Sequence, residues 1–300
     1  MVQPSGHRPI DAVRAKLKAT PPTAGSFQER RDRWEALFTA LCPTPDGTVT
    51  ETLPAPLAGE WVRGPGVPAD VPNVLIYIHG GGFTAGTAVA YRGLSSRYST
   101  ASGCRVMAID YRFAPEQPYP AALDDCVAAY RWLARRTPPQ RIALAGDSAG
   151  GNLVVALLLR LRDAGDPLPA ACVAVSPIYD MALTGESVTA RADRDPAILP
   201  SSLRACSAAY IGNADRRDPY ASPLYADLAG LPPLLLQCGS EEMLRDDSAR
   251  LAAKAKAAGV DMTFEEWPDM IHVWHLYATT VPEAREGIER LGAFVRRHCG

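Results

Sequence analysis

An α/β fold, with a mainly parallel sheet and helices on both faces, is predicted by three observations. Short apolar runs of strand length recur at residues 74–78, 141–146, 171–175 and 234–238, as buried parallel strands require. Stretches with helical spacing separate them, which is the alternation of a doubly covered sheet. At Gly146-Asp147-Ser148-Ala149-Gly150 the chain passes from one run into the apolar stretch 152–158 through a sharp turn, so a strand feeds a helix directly. A chain of 300 residues, 47% hydrophobic and 21% charged, can bury a full core as one domain with inserted helices.

Taken in order, Ile10, Val13 and Leu17 suit a short amphipathic helix ended by Pro21-Pro22. A second helix starts at Ser26 with Glu29 as its capping-box partner, and presents Phe27, Trp34, Leu37, Phe38 and Leu41 on one face. Core packing explains such a stripe. These helices precede the first strand, however, and a cap over a site is the second reading. Residues 48–53 and 60–63, separated by Pro54 and Pro56, read as an antiparallel edge. The run 74–78 then delivers His79-Gly80-Gly81-Gly82-Phe83 at its carboxyl end. A helix over 88–101, a strand over 104–111 and a proline-rich turn follow. A helix over 121–135 points Leu123, Val127, Tyr130 and Leu133 at the sheet.

Beyond the strand 171–175, residues 177–232 hold no strand. They include the charged stretch Arg191-Ala192-Asp193-Arg194-Asp195 and a helical piece near 202–210. An insertion this long is usually functional, and its helical part reads as the other half of a cap. The chain closes with a strand at 234–238, a helix over 246–258, a strand at 262–267 and a helix over 283–297.

Composition excludes several function classes. Basic and acidic residues, 31 and 33, are interspersed and the net charge is −2, so there is no electrostatic footprint for nucleic acid. The seven cysteines are scattered without a C-x-x-C pair and read as reduced, packed thiols with no zinc site. The N-terminus lacks a leading apolar run, and the longest aliphatic stretch, 153–159, is far short of a bilayer span. A cytoplasmic protein is the expectation.

The G-x-S-x-G turn has the form of a nucleophile elbow, which exposes Ser148 above the sheet, with the amides and positive dipole of the next helix aimed at the same place. A plain tight connection or a phosphate cradle are the alternatives. The absence of G-x-G-x-x-G and of a following Gly-Lys-Ser/Thr argues against nucleotide. Three glycines after His79 let backbone amides approach a substrate oxygen, an oxyanion-hole loop rather than merely a flexible one. A serine needs a base and the base an orienting acid, in the chain order serine, acid, histidine. Of the histidines after Ser148, His272 lies in the turn beyond the last strand, His275 would begin a helix, and His298 falls in the polar terminus. The acid is expected in Gly239-Ser240-Glu241-Glu242-Met243, whereas Asp246 and Asp247 fit a solvated helix start.

Together, His79-Gly80-Gly81-Gly82, Tyr111-Arg112-Phe113-Ala114-Pro115-Glu116, Gly146-Asp147-Ser148-Ala149-Gly150-Gly151 and Asp218-Pro219-Tyr220-Ala221-Ser222-Pro223 resemble the bacterial hormone-sensitive-lipase family of α/β-hydrolases, from about residue 72 onward. The resemblance implies Ser148 as nucleophile, His272 as base and the amides of Gly81, Gly82 and Ala149 as oxyanion hole. It further implies cap helices at 1–45 with an insertion at about 178–215 over a catalytic domain 46–300. Its activity would be hydrolysis of short to medium acyl carboxylic esters, with no cofactor and no metal. Where the family commonly has Asp-Pro-Leu, this chain has Glu242-Met243-Leu244, so the acid becomes a glutamate, with Glu241 as the neighbouring alternative. The partner is then a small-molecule ester, with no membrane span, and a homodimer is left open. Lactone hydrolysis, a biosynthetic acyl-transfer or elimination step, and a non-catalytic ligand receptor on the same fold are the competing functions.

Overall fold

In the computed structural model, which describes residues 8–19 and 26–299, eight strands form one sheet in the order β1-β2-β4-β3-β5-β6-β7-β8. These are β1 (Val49–Thr52), β2 (Gly59–Arg63), β3 (Val74–Ile78), β4 (Arg105–Ile109), β5 (Ile142–Asp147), β6 (Ala171–Val175), β7 (Leu234–Gly239) and β8 (Met262–Trp267). The β1–β2 and β2–β4 pairs are antiparallel, and every later pairing is parallel.

The helices are α1 (Pro9–Ala19), α2 (Phe27–Leu41), α3 (Arg92–Ser102), α4 (Ala121–Ala134), α5 (Ala149–Ala164), α6 (Ser187–Ala190), α7 (Pro200–Ile211), α8 (Arg245–Ala257) and α9 (Pro282–His298). The apolar runs look continuous because each strand feeds two cores. Val74, Ile76 and Ile78 enter the core shared with α4, α5, α7 and α8, while Leu75 and Tyr77 enter the one shared with α1, α2, α3 and α9. The same alternation holds at Leu234, Leu235 and Leu236.

The Ser26–Glu29 capping box forms, with Ser26 Oγ accepting from the Glu29 amide and the Glu29 carboxylate accepting from the Ser26 amide at 2.8 Å. The face expected for α2 is only partly right. Phe38 is buried between Trp34 at 4.6 Å and Tyr91 at 4.9 Å, but Leu37 is 49% exposed, off the packed face of the helix. The end of α1 at Pro21-Pro22 lies outside the described residues. α3 starts four residues later than expected, since residues 88–91 turn instead, with the Asp110 carboxylate taking the Ala88 amide at 2.7 Å. Among the described residues no helix is long and apolar enough to cross a membrane.

Candidate active site

Ser148, Glu242, His272 and the glycine loop lie at the carboxyl ends of the parallel strands, where an open α/β sheet leaves its crevice. Ser148 follows β5 and starts α5 with φ 52° and ψ −116°, a strained conformation for a residue with a side chain. The turn can be this tight because a Cβ on Gly150 would strike the carbonyl oxygens of Ile78 and His79. Ser148 is left partly exposed, with its amide donating to the Val175 carbonyl at 2.9 Å.

His272 reaches over from the loop after β8. Its Nε2 is 2.9 Å from Ser148 Oγ, and its Nδ1 is 3.2 Å from Glu242 Oε2. Glu242 is fully buried in the turn after β7, where its Oε1 accepts from Ser176 Oγ at 2.7 Å and from the Gly239 amide at 2.5 Å. Ser176, at the end of β6, also accepts the Val273 amide at 3.0 Å, so one hydroxyl ties the acid turn to the histidine loop. Burial alone would lower the His272 pKa. The hydrogen bond and charge of Glu242, with the charges of Asp195 and Asp147, outweigh burial and raise it.

The structure does not gather the other candidates here. Glu241 is turned to Arg194, whose Nε and Nη2 donate at 2.6 and 2.9 Å. His275 is fully buried, pairs with the Tyr98 hydroxyl at 2.9 Å, and is pushed down to about pKa 3 by burial. His298 sits half-buried at the end of α9. Asp247, expected at a solvated helix start, is instead 1% exposed. Its Oδ2 accepts the amides of Tyr179 and Asp180, which anchors the start of the long insertion.

The glycine loop after β3 lies beside the elbow. The Gly80 amide is spent on Asp147 Oδ1 at 3.1 Å, and the same carboxylate oxygen accepts from the Tyr77 hydroxyl at 2.5 Å. Asp147 thus fixes the glycine loop to the elbow in which it sits. Burial pushes its pKa up to about 6, against those two hydrogen bonds and the charge of His272. Gly81 has φ 114° and Gly82 φ 62°, and their amides find no acceptor among the described residues. The Ala149 amide, first in α5, has no partner within its helix either. These three unspent donors are what a developing oxyanion would require.

One N-terminal helix, α2, and one helix of the insertion, α7, contact this loop. From α2, Arg31 Nε donates to the Thr84 carbonyl at 2.7 Å, and Arg30 Nη2 approaches Thr84 Oγ1 at 3.3 Å and Cys206 Sγ at 3.6 Å. From α7, Tyr210 stacks on Phe83 at 3.7 Å, and Cys206 is the sulfur that a Cβ on Gly82 would meet. Sequence reasoning missed Ser176, the role of Asp147 and the buried Asp195, since each acts through partners distant in the chain. The only local signal is that Asp147 occupies the variable position of the G-x-S-x-G turn.

A family model described as the alpha/beta hydrolase fold matches residues 75–276. An acetyl-hydrolase of Streptomyces hygroscopicus is 46% identical over 281 residues, covering 92% of this chain and 92% of that one. An esterase of Acinetobacter venetianus is 33% identical over 283 residues, 93% of each chain. Among solved structures, an esterase from the bacterial hormone-sensitive lipase family matches with TM-score 0.93 at 44% identity, covering 99% of this chain and 100% of that one. EstE5 soaked with p-nitrophenyl butyrate matches with TM-score 0.92 at 41% identity, covering 98% and 99%. The chain therefore belongs to the alpha/beta hydrolase fold family, among the bacterial hormone-sensitive-lipase esterases, and is a carboxylesterase-type serine hydrolase.

Proposed function

We propose that the enzyme hydrolyses short to medium acyl esters through an acyl-enzyme on Ser148, with His272 as base, Glu242 as the orienting acid, and the amides of Gly81, Gly82 and Ala149 as oxyanion hole. Ser148 Oγ attacks the ester carbonyl carbon as its proton passes to His272 Nε2, and the carbonyl oxygen becomes the anion held by the three amides. The imidazolium, stabilised by Glu242 at Nδ1, returns that proton to the departing alcohol. Water then repeats the sequence on the acyl-enzyme, and the acid leaves.

The observation that carries this reading is the continuous path from Glu242 Oε2 through His272 to Ser148 Oγ, at 3.2 and 2.9 Å, beside amides with no other partner. The acyl preference is supported by the acetyl-hydrolase name of one relative and the butyrate ester soaked into EstE5. The cap proposed at 1–45 and about 178–215 draws on the contacts of α2 and α7 with residues 82–84. Seven free thiols, six of them buried, support a reducing, cytoplasmic setting. A p-nitrophenyl ester series from acetate to laurate, run beside a lactone, tests the reading. Highest kcat/KM at acetate to hexanoate is expected, and turnover of the lactone alone would overturn it.

A further inference from the structure

We propose that Asp195, delivered by the long insertion, is a positioning residue that acts on His272 as a second buried negative charge, alongside Glu242. The inference rests on the catalytic reading of Ser148, His272 and Glu242. Asp195 is fully buried, and among the described residues no Arg or Lys pairs with it. Its Oδ1 accepts the Ala197 amide at 3.2 Å and meets the His272 amide at 3.5 Å, while its Oδ2 accepts the Met243 amide at 3.3 Å. One carboxylate therefore joins the insertion, the turn carrying Glu242 and the loop carrying His272.

The neighbouring charges strengthen the argument. Arg194, the preceding residue, is committed to Glu241, and Arg191 lies 4.0 Å from that same glutamate, so the cations of this segment serve another carboxylate. Facing Asp195 are Glu242 from the turn after β7, His272 from the loop after β8 and Tyr277 from the turn that follows. Burial and the charge of Glu242 raise the Asp195 pKa, against the charge of His272 and two backbone hydrogen bonds, to about 6. Of these groups only His272 can become positive, and it does so in the transition state. A buried carboxylate without a cation costs stability in the resting enzyme. That cost is offset when the imidazolium forms, so the charge favours the transition state over the ground state.

The test compares Asp195→Asn with wild type in kcat, KM and the pH profile of kcat/KM, with Ser148→Ala and Glu242→Gln as controls for the underlying reading. Asn keeps the Oδ1 contacts and removes the charge. The expected result is a kcat loss of about tenfold, KM within about threefold, and an acid limb moved down by about one pH unit, because His272 loses a stabilising anion. An unchanged pH profile overturns the proposal, whatever happens to stability. Should the variant not fold, the Asp195 carboxyl of the wild-type enzyme can be titrated by carbon-13 NMR. It must be ionised at pH 8, and a carboxyl still protonated there overturns the proposal. If the two control variants retain full activity, the catalytic reading itself is the one that fails.

Discussion

Glu242 points its carboxylate at His272 Nδ1, 3.2 Å away, whereas Glu241, one residue earlier, is held by Arg194 at 2.6 Å. The turn after β7 thus sorts two adjacent carboxylates, burying one at the histidine and pairing the other with the insertion. Glu242→Gln should lose on the order of 10⁴-fold in kcat, the scale of the corresponding acid-to-amide change in serine proteases. Glu241→Gln should stay within about tenfold, as for an ion pair outside the reacting groups. Steady-state kinetics on both variants, with folding checked by thermal unfolding, makes the comparison. A dead Glu241→Gln beside a live Glu242→Gln would reverse the assignment.

At Gly81 the glycine loop after β3 has no room for a side chain. Its φ is 114°, and a Cβ there would collide with the Ala85 carbonyl. Gly81→Ala should therefore displace an amide from the developing charge and lower kcat by roughly 10²- to 10³-fold. A variant whose KM alone changes would make the loop a binding element.

Cys206 of α7 sits against Gly82, on the side where α2 brings Arg30. Cys206→Phe should narrow the space above the loop and cut kcat/KM for longer acyl esters relative to acetate by about tenfold or more, since a single methylene in an apolar pocket already carries that scale. An equal loss across the ester series would place Cys206 outside the substrate pocket.

Asp247 gives a pH-dependent stability. Burial pushes its pKa from 3.8 up to about 7, partly opposed by the amides of Tyr179 and Asp180 and by Arg250, while the charge of Asp180 adds to the rise. The folded state then binds the proton more tightly than the unfolded chain, so this group destabilises the fold progressively as pH rises from about 4 to about 7. Asp247→Asn keeps an oxygen for the two amides without the charge. Its melting temperature should gain on wild type as pH rises through that window, by the equivalent of about 1–4 kcal/mol. A constant difference between pH 4 and 8 would contradict the shift.

What the sequence makes legible follows from local physics. The strands are readable because burial on both faces makes them continuous apolar runs, and the elbow because glycine is required where α5 nearly touches β3. The start of α2 is readable because its capping box spans only three residues. Motif and chain order single out Ser148 and His272, whose Oγ and Nε2 lie 2.9 Å apart. Glu242 is distinguished from Glu241 only by which way the turn faces, which depends on Arg194 far along the chain. Asp195 and Asp247 look like surface charge in a polar stretch. Their burial is imposed by backbone amides that the insertion and the turns bring to them.

The most direct test of the account is to label the nucleophile. The enzyme is treated with a sulfonyl fluoride, its intact mass is measured, and the adduct is mapped by peptide mass spectrometry while ester hydrolysis is followed in parallel. One adduct per chain on Ser148, growing in step with the loss of activity and absent from Ser148→Ala, is the predicted result. Inactivation with the adduct on another residue, or a Ser148→Ala enzyme that still hydrolyses the ester at the wild-type rate, would contradict it.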